Sequence, residues 1–239
     1  MGKVIKNYLE QAKIDRKQSY RNLAVFPLLS PYATAVDYIT LDEALDRGLM
    51  EVVEVDESGS VPELKVVNKS PKMILIMDGE ELVGAKQNRI VNTTILIQAK
   101  STTVIPVSCV EQGRWSYGTP RFHSQKRIMS SGLRAIKARQ VHDSVRYSGR
   151  YRSDQGAIWD EISAKARRHE AESPSMAMAS IYEKERSLIE DYVKHFKLAG
   201  MQVGAVFAID RRRQAQTKTV FCSVGQTKQD TVSASQQSM

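Results

Sequence analysis

Met73-Ile-Leu-Ile-Met-Asp78-Gly-Glu-Glu-Leu-Val-Gly-Ala-Lys86-Gln-Asn-Arg89-Ile-Val-Asn92-Thr-Thr-Ile-Leu-Ile97 is the stretch whose reading decides the fold. Its two ends, Met73 to Met77 and Thr94 to Ile97, are short runs rich in β-branched residues. Such runs fit a pleated, half-buried surface better than a helix. The middle opens on Asp78-Gly79, a common turn pair. Working outward, Glu51-Val-Val-Glu-Val, Leu64-Lys-Val-Val and Thr103-Val-Ile-Pro-Val repeat the pattern, with turn chemistry at Glu57-Ser-Gly-Ser and Asn68-Lys-Ser-Pro between runs. Strands this close, with no helix separating them, predict antiparallel pairing in a meander or barrel-like sheet.

On either side of this block the period changes to that of a helix. Residues 3 to 20 hold good helix formers, with Val4, Ile5, Tyr8, Leu9 and Ala12 on one face. A strand from Asn22 to Leu29 follows, ended by Ser30-Pro31. Thr40-Leu-Asp-Glu43 is a capping box, and the short helix it starts ends at Gly48. From about Ser124 the pattern reads as helical again. Met129, Leu133 and Ile136 line a basic helix, and Asp154 caps another with Ile158, Trp159 and Ile162 inward. Met178, Ile181, Leu188, Ile189, Tyr192, Val193 and Phe196 then predict one amphipathic helix closed by Gly200, with a last strand from Met201 to Ile209. The expected class is α+β: a mainly antiparallel sheet in the N-terminal half, packed by C-terminal helices. One domain is expected over 1–210. Residues 211–239 form a polar tail with Val220-Phe-Cys as its apolar island, too little to hold itself folded, and disorder is expected from about 225.

Composition limits the setting. A chain of 239 residues, 41 % hydrophobic and 26 % charged, can bury an ordinary core. No apolar run approaches the roughly eighteen residues of a membrane span, and the lysine-rich start lacks a secretory h-region. Two cysteines are too few for a disulfide framework, so a reduced, cytoplasmic compartment is the expectation. The net charge is +8, and Arg114 to Arg168 more than accounts for it, with about thirteen Lys/Arg against four Asp/Glu. Such a window either neutralises phosphates or is a pair of solvated helix faces.

The polar residues between the strands carry the candidate chemistry. Asp78 to Arg89 packs three carboxylates, two cations and two amides into twelve residues. A second cluster, Cys109-Val-Glu-Gln-Gly-Arg-Trp115, follows the next strand pair and can face the first across one rim of an antiparallel sheet. Lys86, Arg89 and Arg114 suit phosphate, with the amides Gln87, Asn88 and Asn92 beside them. Asp78, Glu80, Glu81 and Glu111 suit a hard divalent ion or acid–base work, and Asp78, Glu80 and Glu111 are the catalytic candidates. Trp115 suits stacking on a base or ribose. The alternative is that these charges are ion pairs tying loops down and Trp115 is a core lid. Cys109 has no nearby histidine, and His123, His142, His169 and His195 show no metal-ligand spacing. There is no P-loop, nucleophile elbow, zinc motif or dinucleotide fingerprint.

The stretch Asp78 to Arg89, then Asn92-Thr, then Ile105-Pro-Val-Ser-Cys-Val-Glu-Gln-Gly-Arg-Trp115, resembles the ARG and rhodanese-phosphatase-superfamily-associated protein domain family. Asp154-Gln-Gly-Ala-Ile-Trp-Asp-Glu-Ile and Gln202-Val-Gly-Ala-Val-Phe-Ala-Ile are similar to two further blocks, so the resemblance covers roughly 20 to 210. It implies a role linked to NAD or ADP-ribose metabolism and an ADP-ribosylglycohydrolase-type partner, by association and without a mechanism. It also implies a further hydrophobic strand and a helix after Ile209, neither of which Arg211 onward supplies. Three functions stay open: processing of a phosphate-bearing nucleotide by hydrolysis, non-catalytic sensing or docking, and nucleic-acid binding through the basic helices.

Overall fold

The computed structural model describes residues 6–7, 10–31, 36–56 and 59–210, together with the backbone of 220–223. Its contacts gather into two compact units, one holding the described residues up to Val36 with those from Ser187 onward, the other Asp37–Arg186.

The larger unit is the predicted antiparallel sheet. Strands β5 (Met50–Glu54), β6 (Glu63–Asn68), β8 (Glu80–Gly84), β9 (Arg89–Val91), β11 (Thr102–Cys109) and β12 (Phe122–Ile128) form a six-stranded sheet in the order β12-β8-β9-β11-β6-β5, every neighbouring pair antiparallel. A three-stranded sheet of β10 (Ile95–Ile97), β7 (Met73–Ile76) and β4 (Tyr38–Thr40) joins it, with β4 and β7 the one parallel pair among the described strands. The six-stranded sheet curls, so Arg121 on the β12 side meets Glu51 of β5 at 3.1 Å. Inside the curve Leu64, Val66, Ile74, Ile76, Leu82 and Ile105 are fully buried. Helix α1 (Leu41–Asp46) begins at the predicted capping box, with Thr40 and Glu43 bonded reciprocally, and Gly48 follows it at φ +65°.

On the convex face lie α2 (Ser131–Ser148), α3 (Gln155–Arg168) and α4 (Ala179–Lys184), and their Leu133, Ile158, Ile162 and Ile181 pack on Ile90 and Val110 of the sheet region. Asp154 caps α3 as predicted, accepting from the Ala157 N–H at 3.1 Å. The smaller unit is a second antiparallel sheet. In it β3 (Leu23–Leu29) pairs with β13 (Gln202–Ile209), β1 (Lys13–Ile14) and β2 (Gln18–Tyr20) follow one another along the other edge of β3, and α5 (Arg186–His195) places Tyr192 against Leu23, Val25 and Phe207.

Four expectations are corrected. Of the predicted helix over 3–20, positions 6–7 and 10–11 are helical but Lys13–Ile14 and Gln18–Tyr20 are strands, because pairing with β3 overrides local propensity; Val4, Ile5, Tyr8 and Leu9 lie outside the described residues. Residues 122–128 are strand, with Phe122 and Ile128 buried and Lys126 at φ +56°, a value no helix admits, so the helix starts only at Ser131. The predicted single helix over 178–196 breaks at Glu185 and ends at His195 rather than at Gly200, since Ile181 and Tyr192 belong to different cores. A strand does follow Ile209: β14 (Val220–Ser223) pairs with β13 from Phe207 to Gly204. The expected disorder from about 225 falls outside the described residues.

Lys137 fixes α2 to the sheet. Its side chain is fully buried, and its ammonium donates to Asp78 and to the carbonyls of Val91 (3.0 Å) and Asn92 (3.1 Å), three acceptors for three protons. Burial pulls the Lys137 pKa below its ordinary value, against the opposing pull of Asp78. Removing one partner strands the other charge in the interior, whereas removing both does not. Asp78→Ala is therefore expected to cost about 3 kcal/mol, a fall of roughly 8 °C in Tm for a domain of this size. Asp78→Ala with Lys137→Met recovers most of the loss, which thermal unfolding of the two variants checks. Equal loss in single and double variants would contradict the assignment.

Candidate functional site

The register of β8 and β9 decides where the polar residues point. Leu82 lies opposite Arg89 and Glu81 opposite Ile90, so Arg89 faces the concave core and Glu81 the helices. The hairpin between these strands needs unusual backbone: Gly84 sits at φ +129° with Arg121 O only 2.6 Å from where a Cβ would stand, and Ala85 is at φ +41°. That turn swings Lys86, Gln87 and Asn88 toward the segment after β11.

Glu111 and Arg114 hold the two segments together. Glu111 Oε2 accepts from the Asn88 N–H (3.1 Å) and from Arg114 Nη2 (2.7 Å), and its Oε1 accepts from Ser175 Oγ (2.7 Å). Burial works against the ionised form, but the bonds from Arg114, Ser175 and Asn88 outweigh it and lower the Glu111 pKa from its ordinary value. Arg114 also donates to the carbonyls of Ala85 (2.6 Å) and Ser116 (2.9 Å), and to Asn88 Oδ1 (3.1 Å). Gln87 Nε2 donates to Glu111 O at 3.0 Å. Arg114 is thus a clamp between hairpin and loop, its fork fully occupied.

Arg89 is different. Its side chain is fully buried, Nη1 donates to Gln87 Oε1 at 2.8 Å, and Nε and Nη2 have no hydrogen-bond partner. Burial lowers its pKa while neighbouring Cys109 and Glu54 raise it. Glu54, at the end of β5, is buried and leaves Oε2 without a partner. The Trp115 ring covers both cations, with Lys86 Nζ 5.5 Å and Arg89 Cζ 5.6 Å from its centroid, and Tyr117 lies 5.2 Å from Lys86 Nζ. Trp115 and Tyr117 are nevertheless about half exposed. The result is a buried guanidinium and carboxylate, each with free bonding capacity, under two aromatic rings on a surface loop.

Lys86, Gln87, Asn88, Arg89, Glu111, Arg114 and Trp115 therefore come together. The other predicted residues make their contacts elsewhere. Asp78 pairs with Lys137 and with Arg134 (3.6 Å), and Glu80 accepts from the Met77 N–H (2.7 Å) in the turn that opens β8. Asn92 accepts from Ser108 Oγ (2.7 Å) and donates to Tyr151 O (2.9 Å). Among the described residues no group of three or more His, Cys, Asp or Glu side chains converges as metal ligands would. Cys109 is buried, donates to Glu111 O at 3.2 Å, and burial raises its thiol pKa, so it stays a thiol. The residue missed from sequence is Glu54, which reads there as one more polar position in an alternating strand; only its place at the strand end hints otherwise.

Glu81, grouped by sequence with the divalent-ion and acid–base candidates, lies apart from them on the face toward the helices. It is fully buried, and its one ion pair, Arg127 Nη1 at 3.7 Å, is too long for a hydrogen bond, so both oxygens lack one. Burial, partly offset by Arg127 and reinforced by Glu111 and Glu183, raises its pKa to about 7.

A family profile for the ARG and Rhodanese-Phosphatase-superfamily-associated Protein domain matches residues 11–217. The chain belongs to this family, which is named for its association with those proteins. No curated protein and no solved structure matches it significantly. Among the described residues, no helix is long and apolar enough to cross a membrane.

Because Glu81 keeps its proton longer in the folded state than in the unfolded chain, the fold binds more protons between about pH 4.5 and 7. Stability contributed by this group is therefore full below that window and declines as pH rises through it. Glu81→Gln is expected to flatten the decline between about pH 5 and 7.5, by an amount on the order of 2 kcal/mol. Urea titrations across that range check it, and parallel curves for wild type and variant would contradict it.

Proposed function

We propose that the domain binds a phosphate-bearing nucleotide of ADP-ribose-like chemistry at Lys86 and Arg89, beneath Trp115 and Tyr117. The observation that carries the reading is the pair of unanswered donors on Arg89. Nε and Nη2 lie on the same edge of a guanidinium, and together they match two oxygens of one phosphate. Lys86, buried beside the same rings, adds a second cation. The free Oε2 of Glu54 accepts a ribose hydroxyl, and the half-exposed rings of Trp115 and Tyr117 offer faces for a purine. Entry requires the loop carrying these rings to lift from the cations it covers. The link of the family name to ADP-ribosylglycohydrolase supports this ligand class and a partner of that type.

Binding is favoured over hydrolysis by the state of the carboxylates. Asp78 and Glu111 are held in ion pairs, and Glu80 accepts a turn N–H, so none is placed to activate a water. In this reading Gln87, Asn88, Glu111 and Arg114 position the hairpin, and Lys86, Arg89, Glu54 and Trp115 meet the ligand.

A ligand selective for the native state stabilises it by mass action. ADP-ribose at about one hundred times its Kd adds about 2.7 kcal/mol, a rise of roughly 5–10 °C in Tm at this size. Adenosine, lacking phosphate, gives no shift, and Lys86→Ala with Trp115→Ala abolishes the ADP-ribose shift. A thermal-shift panel of ADP-ribose, NAD, ADP and AMP, with and without Mg²⁺, checks this. No shift with any of them would overturn the proposal.

A further inference from the structure

The basic window divides into two halves that the fold treats differently. In the first, Arg114, Arg121, Lys126, Arg127, Arg134 and Lys137 all face acids of their own unit: Glu111, Glu51, Asp46, Glu81 with Glu183, and Asp78. That half is internally neutralised. In the second half none of the seven cations has a side-chain hydrogen bond or ion pair among the described residues, and four of them, Arg139, Arg146, Arg150 and Arg152, are exposed on α2 and the loop that follows it.

These four are arranged with aromatic residues between them. Arg139 and Arg146 are seven apart on α2, hence on one face and about 10 Å apart along the axis. Tyr147, 88 % exposed, follows on the last turn, and Gly149 at φ +69° ends the helix and turns the chain into Arg150-Tyr151-Arg152. The loop is pinned by its backbone and by Ser153. Tyr151 O accepts from Asn92 Nδ2 (2.9 Å), Ser153 Oγ bonds Ser108 Oγ (2.6 Å), and the Asp154 N–H donates to Gln140 Oε1 (3.1 Å). The anchors hold the main chain while Arg150, Tyr151 and Arg152 stay exposed. Two carboxylates lie nearby: Asp143 on α2, and Asp154, which caps α3.

We infer that this surface, Arg139 to Arg152, binds single-stranded nucleic acid, the arginines tracking phosphates and Tyr147 and Tyr151 stacking on bases. Interleaved cations and exposed rings are the two requirements of such a groove, because every base offers a π-face and every linkage a charge. An anionic membrane would also meet the cations, but it asks for an inserted aliphatic face. The exposed large apolar side chains here are tyrosines.

The test is fluorescence anisotropy of the full chain with a labelled single-stranded oligonucleotide. With about four phosphates neutralised, affinity falls roughly 50-fold between about 50 and 200 mM salt. Arg146→Ala with Arg150→Ala and Arg152→Ala removes most of that salt dependence. Tyr147→Ala with Tyr151→Ala weakens binding at least about tenfold and leaves the salt slope unchanged. All five positions are exposed, and unchanged circular dichroism confirms that the variants fold. The inference is overturned by wild-type affinity in the arginine variant, by equal affinity for a duplex, by tighter binding to phosphatidylserine vesicles, or by no binding at low salt.

Discussion

A guanidinium carried into the interior of a β-sheet is among the most costly groups a fold can hold, and Arg89 is held there with two donors unanswered. Its position is forced. The antiparallel register of β8 and β9 sets Arg89 on the same face as Leu82, and one residue's shift would exchange it with Ile90 and wreck both cores. The hairpin with Gly84 and Ala85 at positive φ, the Arg114 clamp and the aromatic loop lie around it. Gln87 takes one of its nitrogens, and Trp115 covers it. A purely structural arginine finds acceptors for both of its terminal nitrogens, as Arg114 does. Unused bonding capacity, enclosed beside a carboxylate in the same condition, is the observation on which the proposed nucleotide site rests.

Lys137 makes the comparison sharp. It too is fully buried, but each of its protons has an acceptor, and one of them is the carboxylate of Asp78. The two buried cations differ in completeness, and completeness assigns them different work. Glu81 is a third case, buried without a hydrogen bond, but facing the helices rather than the loop. Its free capacity gives the fold a pH response instead of a ligand.

How much of this was legible in the chain depends on which force decided each element. The β-branched runs around Met73, Thr94 and Thr103 announce strands because period and propensity agree there. The Thr40 to Glu43 box announces its helix because a cap is a local event. Residues 122–128 misled because only pairing with β8 makes them a strand, and pairing is not local. The polar dozen from Asp78 to Arg89 was recognisable as a place to look, yet its members separate in space. Alternation sends neighbours to opposite faces, and a turn leaves Asp78 with α2. Glu54 was invisible for the same reason: it joins the site through a strand more than thirty residues away, and no spacing records that.

The claim that the free edge of Arg89 is an anion site is tested most directly by a crystal structure of the full chain with ADP-ribose. The account predicts phosphate oxygens within hydrogen-bond distance of both Nε and Nη2 of Arg89, a ribose hydroxyl on Glu54, and Trp115 moved from the guanidinium to the adenine. The same edge of Arg89 bonded to ordered water or to Glu54, with the nucleotide bound elsewhere, would contradict it.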